Sequence, residues 1–202
     1  MASLHVISGG AEGADSEWVR ALSAHARVID IWSFPGHQIH YMPMGTNVRI
    51  LSESDKQDAD AVLRRACVGL SKRMPRLGTF THKLLQRNFC IARDAECMVV
   101  IGRRLLNQST MWGAIGVDGG TAWACQMFAN KFADAGHSEI PLFVCDNGTW
   151  FRCVYYTQPF FVWKECALPA ITGKCAFIGS RDLTDVDKAA IQAVALEYSA
   201  RN

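Results

Sequence analysis

Val6-Ile7-Ser8-Gly9-Gly10-Ala11-Glu12-Gly13-Ala14-Asp15 limits the architectures open to this chain more than any other stretch. A short apolar run ends on two adjacent glycines and passes, after Gly13, into a helix-like pattern. A strand that ends in glycines and opens a helix turns free backbone N–H groups and the positive end of a helix dipole toward an anion. Small residues there let a ligand come close to the backbone. The Gly-Gly-x-x-Gly spacing is neither the dinucleotide fingerprint Gly-x-Gly-x-x-Gly nor a P-loop ending in Lys-Ser/Thr. A tight strand-to-helix turn without a ligand is the plain alternative.

The same order of strand, small-residue turn and helix recurs at Val117-Asp118-Gly119-Gly120-Thr121 and at Phe177-Ile178-Gly179-Ser180-Arg181. Hydrophobic periodicity predicts strands over 4–8, 28–34, 97–101, 140–145 and 175–178, with an antiparallel edge strand over 150–156. It predicts helices from Glu12 to about Ala26, from Glu53 to about Arg73 behind a cap at Ser52, and over 81–93. Further helices run from Ala122 to about Ala133 and from about Thr184 to Tyr198. Residues 36–51 read as a long loop, in which His37 and His40 are too ambiguous to assign a role. Residues 103–116 read as a second loop, and 159–169 as aromatic and irregular. A strand–helix–strand start implies a parallel sheet, and in such sheets ligands bind where loops meet at the carboxyl ends of the strands. Three such turns make a shared anion-binding crevice the better expectation.

Composition narrows the class. With 202 residues, 50% of them hydrophobic and 20% charged, the chain fits one globular domain with a sizeable core. A net charge of +2 singles out no partner, and nucleic acid is disfavoured. The one basic cluster, Arg64, Arg65, Lys72, Arg73 and Arg76, reads as a solvated helix face that could help to hold phosphates. The eight cysteines form no Cys-x-x-Cys pair and no zinc spacing, so buried free thiols are expected, with no metal. No signal-peptide pattern and no membrane-length apolar run is present, so a soluble cytoplasmic protein is expected.

The residues also carry a resemblance. Ser8-Gly9-Gly10-Ala11-Glu12-Gly13-Ala14-Asp15 resembles the Gly-Gly-Ala turn of the SLOG superfamily, Rossmann-like nucleotide-binding proteins. That group includes the lonely-guy cytokinin-activating phosphoribohydrolases and the DNA-processing protein A domain. Arg87-Asn88, the following strand and Asp118-Gly119-Gly120-Thr121 are similar to the second half of the lonely-guy pattern. Phe177 to Thr184 looks like a strand and turn that many members carry ahead of the Gly-Gly-Ala turn. Here it stands at the C-terminal end, as in a circular permutation. The resemblance therefore implies a three-layer α/β fold, a Rossmann-like and mostly parallel sheet with helices on both faces, circularly permuted. In it the strands at Leu4 and at Cys175 should be neighbours.

The implied ligand is a nucleoside phosphate or an ADP-ribose-like molecule, with no separate cofactor. Ser8, Gly9, Gly10, Ala11 and Gly13 would cradle it together with Gly119, Gly120 and Thr121, and with Gly179, Ser180 and Arg181. Arg87 and Asn88 would hold phosphate, Asp15 and Asp118 would lie near ribose or base, and Trp112, Trp123 or Trp150 would stack on the base. Lonely-guy hydrolases carry a glutamate soon after the second glycine turn, whereas here Ala122 to Gln126 includes no acid. Gln126 cannot replace a carboxylate as base or cation stabiliser. The leading expectation is thus a binding protein acting as sensor, carrier or sequesterer. The alternative is an N-glycosidase or phosphoribohydrolase using Asp15, Asp118 and Arg87, and a DNA-processing module comes third, by analogy of fold. Dimerisation of related folds leaves room for a homo-oligomer.

Overall fold

The computed structural model of the protein describes residues 3–105, 115–157 and 160–201. Its elements in chain order are β1 (His5–Ser8), α1 (Ala14–Leu22), β2 (Val28–Ser33), β3 (Asn47–Ile50), α2 (Glu53–Leu70), α3 (Phe80–Asp94) and β4 (Cys97–Ile101). They continue with α4 (Thr121–Asp134), β5 (Glu139–Asp146), β6 (Thr149–Thr157), β7 (Phe160–Glu165), β8 (Lys174–Gly179) and α5 (Asp185–Arg201).

The strands form one eight-stranded sheet in the order β3-β2-β1-β8-β4-β5-β6-β7. Pairing is parallel from β3 through β5 and antiparallel at β6 and β7. β4 shows why the sheet is covered on both sides. Successive residues of a strand face opposite ways. Met98 and Val100 accordingly enter a core shared with α2, α3 and α4, while Cys97, Val99 and Ile101 enter a second core shared with α1 and α5. A strand buried on both faces reads as the continuous apolar run Cys-Met-Val-Val-Ile. The result is a three-layer, mostly parallel α/β fold of Rossmann-like kind.

The strand at the C-terminal end lies in the middle of this sheet. β8 pairs with β1 in parallel register, His5 opposite Lys174 and Val6 opposite Cys175, so the two strands expected to be neighbours are neighbours. On its other side β8 pairs with β4, from Cys97 opposite Cys175 to Ile101 opposite Gly179. From β1 the chain steps outward to β2 and β3, and from β4 it steps the opposite way to β5. The direction thus reverses across β1, β8 and β4, which places the switch point at their carboxyl ends.

Two elements differ from the sequence reading. The loop expected over 36–51 contains β3, a parallel edge strand whose four residues are all exposed. The aromatic stretch expected to be irregular contains β7, which takes the edge position and leaves β6 inside the sheet. The helix caps agree better. Ser52 caps α2 through a capping box, its side chain accepting from the Asp55 N–H while the Asp55 carboxylate accepts from the Ser52 N–H. Thr184 and Asp187 make the same reciprocal pair at the start of α5. All eight cysteines are free and seven are buried, with burial pushing the Cys90 thiol up to about 12. Among the described residues no helix is long and apolar enough to cross a membrane.

Candidate functional site

A cavity of about 800 Å³ opens at the switch point, within the range of small-molecule sites. Its walls come from elements far apart in sequence. The turn after β1 supplies Ala11, Glu12 and Asp15, and the turn after β8 supplies Gly179, Ser180 and Arg181. The end of β4 adds Gly102 and Arg103, and the start of α4 adds Asp118, Gly119, Gly120 and Thr121. α3 contributes Phe80, Leu84, Arg87 and Asn88, and the loop after β2 contributes His37, Gln38 and His40. The three glycine turns picked out in the sequence therefore meet at one site.

Arg87 sits at its floor, 3% exposed. Its Nη1 donates to Asp15 Oδ2 at 3.2 Å, and both side chains of the pair are nearly inaccessible. This is the only hydrogen bond Arg87 makes among the described residues, and its buried Nε has no partner. Burial pushes the Asp15 carboxyl above the usual carboxylate range, against the pull of the Arg87 charge and of the Ala11 N–H. Burial likewise depresses Arg87, with Asp15 acting the other way. The pair is held together because each member is the other's compensation for lost water.

Gly9 makes room for this pair. A Cβ on Gly9 would coincide with Arg87 Nη1, so the glycine is what lets the guanidinium lie on the β1 turn. Gly10, at φ 63°, packs under Ile31 and Ile39, and its N–H donates to Ser8 Oγ at 3.3 Å. Ser8, Gly9 and Gly10 are buried and form the floor beneath the cavity without lining it. Gly13 does not line it either. A Cβ there would overlap the backbone of Ser180 and Arg181, and the neighbouring Ala14 N–H donates to Ser180 O at 2.9 Å. Gly13 is the joint between the first and third turns.

The second turn is open. No side chain caps α4 at Gly120, its first turn holds no acid, and Gly119, Gly120 and Thr121 line the cavity beside the exposed Asp118. Asp118 Oδ1 accepts from the Gly119 N–H at 2.6 Å, and Lys72 Nζ donates to Gly119 O at 3.3 Å. One residue of the basic cluster thus braces this turn. Arg65, by contrast, is spent on Asp134.

Trp150, expected to stack on a ligand, is 6% exposed in the core with α1 and α5 and is absent from the cavity wall. It pairs opposite Cys145 on β5, on the far side of β4 from the turns. Trp123 is buried in the other core, and Trp112 lies outside the described residues. Gln126 also faces away from the cavity. Its Oε1 accepts the Ile115 N–H at 2.8 Å and its Nε2 donates to Asn130 Oδ1 at 3.0 Å.

Two groups of wall residues escaped the sequence reading. His37 shares a 3.1 Å hydrogen bond with Ser33 Oγ. Burial, then the charges of Arg87 and His40, lower its pKa to about 4, so it stands neutral beside a cation. Nothing local in residues 36–51 signals this placement. Phe80 and Leu84 were detectable, because 80, 84, 87 and 88 share one helical face.

The fold and site define a three-layer α/β protein with a cavity at the carboxyl ends of its central strands, lined by polar and apolar groups alike. Among the described residues no group of three or more His, Cys, Asp or Glu side chains is placed to hold a metal ion. No family model, no curated protein and no solved structure matches this chain.

Proposed function

We propose that the protein binds a nucleotide or a nucleotide-derived molecule, a nucleoside phosphate or an ADP-ribose-like compound, and acts as its sensor, carrier or sequesterer. The observation that supports this most is Arg87, a cation 3% exposed, with a single hydrogen bond, on the floor of the cavity. A guanidinium so placed has donors to spare for a phosphate. The uncapped N-terminus of α4 and the exposed Arg181 add positive potential on the opposite walls. The resemblance of the turns to those of the SLOG superfamily belongs to the same reading, as does the pairing of β1 with β8 that a circular permutation would give.

A thermal-shift panel of nucleoside mono- and diphosphates and ADP-ribose tests it. At a concentration roughly 100 times its dissociation constant, a true ligand adds about 2.7 kcal/mol to stability. Unchanged melting with every member of the panel would refute the reading.

A second reading, an N-glycosidase or phosphoribohydrolase, rests on two cavity carboxyls in contrasting surroundings. Asp15 is buried and biased toward its protonated form, whereas Asp118 is exposed. Against it, Asp15 is tied to Arg87, and Gln126 is turned away. For this reading, free base should appear when nucleoside monophosphates are incubated with the protein, and Asp118→Asn should abolish its release. Inertness toward all the common monophosphates would exclude it.

A further inference from the structure

The wall of the cavity along α3 changes character with depth. Phe80, Leu84, Arg87 and Asn88 fall at i, i+4, i+7 and i+8, which puts them on one face of the helix. Exposure falls along that face from 52% at Phe80 to 3% at Arg87. The helical rise separates these two by about 10 Å. The outer end is aromatic and apolar, and the inner end cationic.

Phe80 is the first residue of α3, behind the Thr79 cap. Its ring packs edge-to-face on Phe34 at 5.3 Å, and Phe34 in turn stacks on His37 at 5.1 Å. The ring is thus held from behind while half of it stays open. Asn88, one residue beyond Arg87, lines the same cavity, and its carboxamide makes no hydrogen bond among the described residues. A carboxamide with donors to spare beside the guanidinium suits phosphate oxygens. Gln38 faces the cavity from the opposite loop.

We propose that Phe80 and Leu84 form a subsite for an aromatic heterocycle, the base of a nucleotide whose phosphate lies toward Arg87 and Asn88. This rests on the nucleotide reading of the cavity. Phe80 stacks on the base, Leu84 packs on the sugar side, and Asn88 donates to the phosphate beside Arg87. Stacking on an aromatic side chain tolerates every base, so the subsite discriminates little among the bases. Every tryptophan the sequence suggested for this task is either buried or outside the described residues, and Phe80 takes the role in their place.

Calorimetric titration with the four common ribonucleoside 5′-monophosphates and with ribose 5-phosphate tests the subsite. The expected result is that the best monophosphate binds about tenfold tighter than ribose 5-phosphate. Phe80→Ala should erase that advantage and leave ribose 5-phosphate affinity unchanged, while Phe80→Trp should keep the advantage. Because Phe80 is half exposed, the alanine variant should stay folded, and the ribose 5-phosphate arm reports that it has. Equal loss for both probes in Phe80→Ala, or unchanged monophosphate affinity, would overturn the subsite. If the wild type binds ribose 5-phosphate and the monophosphates equally, the subsite fails and the phosphate site stands. If it binds none of them, the subsite as drawn fails, and the nucleotide reading fails too if the diphosphates and ADP-ribose also leave the melting temperature unchanged.

Discussion

Arg87→Met is expected to lower stability by about 3–5 kcal/mol at pH 7, the usual cost of removing one partner from a buried ion pair. The variant keeps most of the side-chain volume over Gly9 but leaves the Asp15 carboxylate buried with only backbone donors, the N–H groups of Ala11 and Gly179, to hold its charge. The loss should depend on pH. Burial already raises Asp15 from its ordinary value of 3.8, and without Arg87 nothing of opposite charge holds it down. A carboxyl whose folded pKa lies above its unfolded one contributes stability that is present at low pH and lost as pH rises through the folded pKa. The deficit of Arg87→Met relative to wild type should therefore shrink as pH is lowered from 7 toward 5. Adding Asp15→Asn removes the buried charge, so the double variant should be more stable at pH 7 than Arg87→Met alone. Urea denaturation at the two pH values decides this. A loss below about 1 kcal/mol would mean that the two side chains do not compensate each other's burial.

Gly13→Ala is the second large effect. Gly13 sits at φ 85° and ψ −131°, a region open essentially to glycine, and an added Cβ would overlap the backbone of Ser180 and Arg181. Strain at positive φ and overpacking against immovable backbone each cost about 1–3 kcal/mol, so a loss near 4 kcal/mol is expected. For a chain of this size that corresponds to a fall of about 10 °C in melting temperature. Gly119→Ala is the control. Gly119 is also left-handed, at φ 70°, but a Cβ there meets nothing within 4 Å, so it should cost only about 1 kcal/mol of strain. Equal losses at the two positions would show that the contact between the first and third turns contributes nothing.

How much of this was legible in the sequence depended on whether the cause was local. β4 was read with its observed bounds, since a strand buried on both faces is an unbroken apolar run between Glu96 and Gly102. The cap of α2 was read from Ser52 and the acids after it, because a capping box is closed within four residues. β3 was missed because an edge strand whose side chains are all exposed leaves no hydrophobic alternation to detect. β7 was missed because its aromatic run, Phe-Phe-Val-Trp-Lys-Glu, shows no alternation of apolar and polar residues.

The site divides in the same way. The three turns were visible, as was Arg87 as a cation meant for the cavity. The Arg87–Asp15 pair joins residues 72 apart, and no local pattern announces it. Gly9 was read as room for a ligand's phosphate, and the room is filled by the protein's own guanidinium. Trp150 drew attention as an aromatic near a turn, yet the β5–β6 hairpin carries it into the core.

Titration of nucleoside monophosphates into wild type and Arg87→Met, at pH 7 and well below the melting temperature of the variant, tests the phosphate role of Arg87 most directly. Saturable one-to-one binding to the wild type is expected, weakened at least about tenfold in Arg87→Met, since a charge-assisted bidentate contact is lost. Binding of equal affinity in both proteins, or none in the wild type, would contradict it.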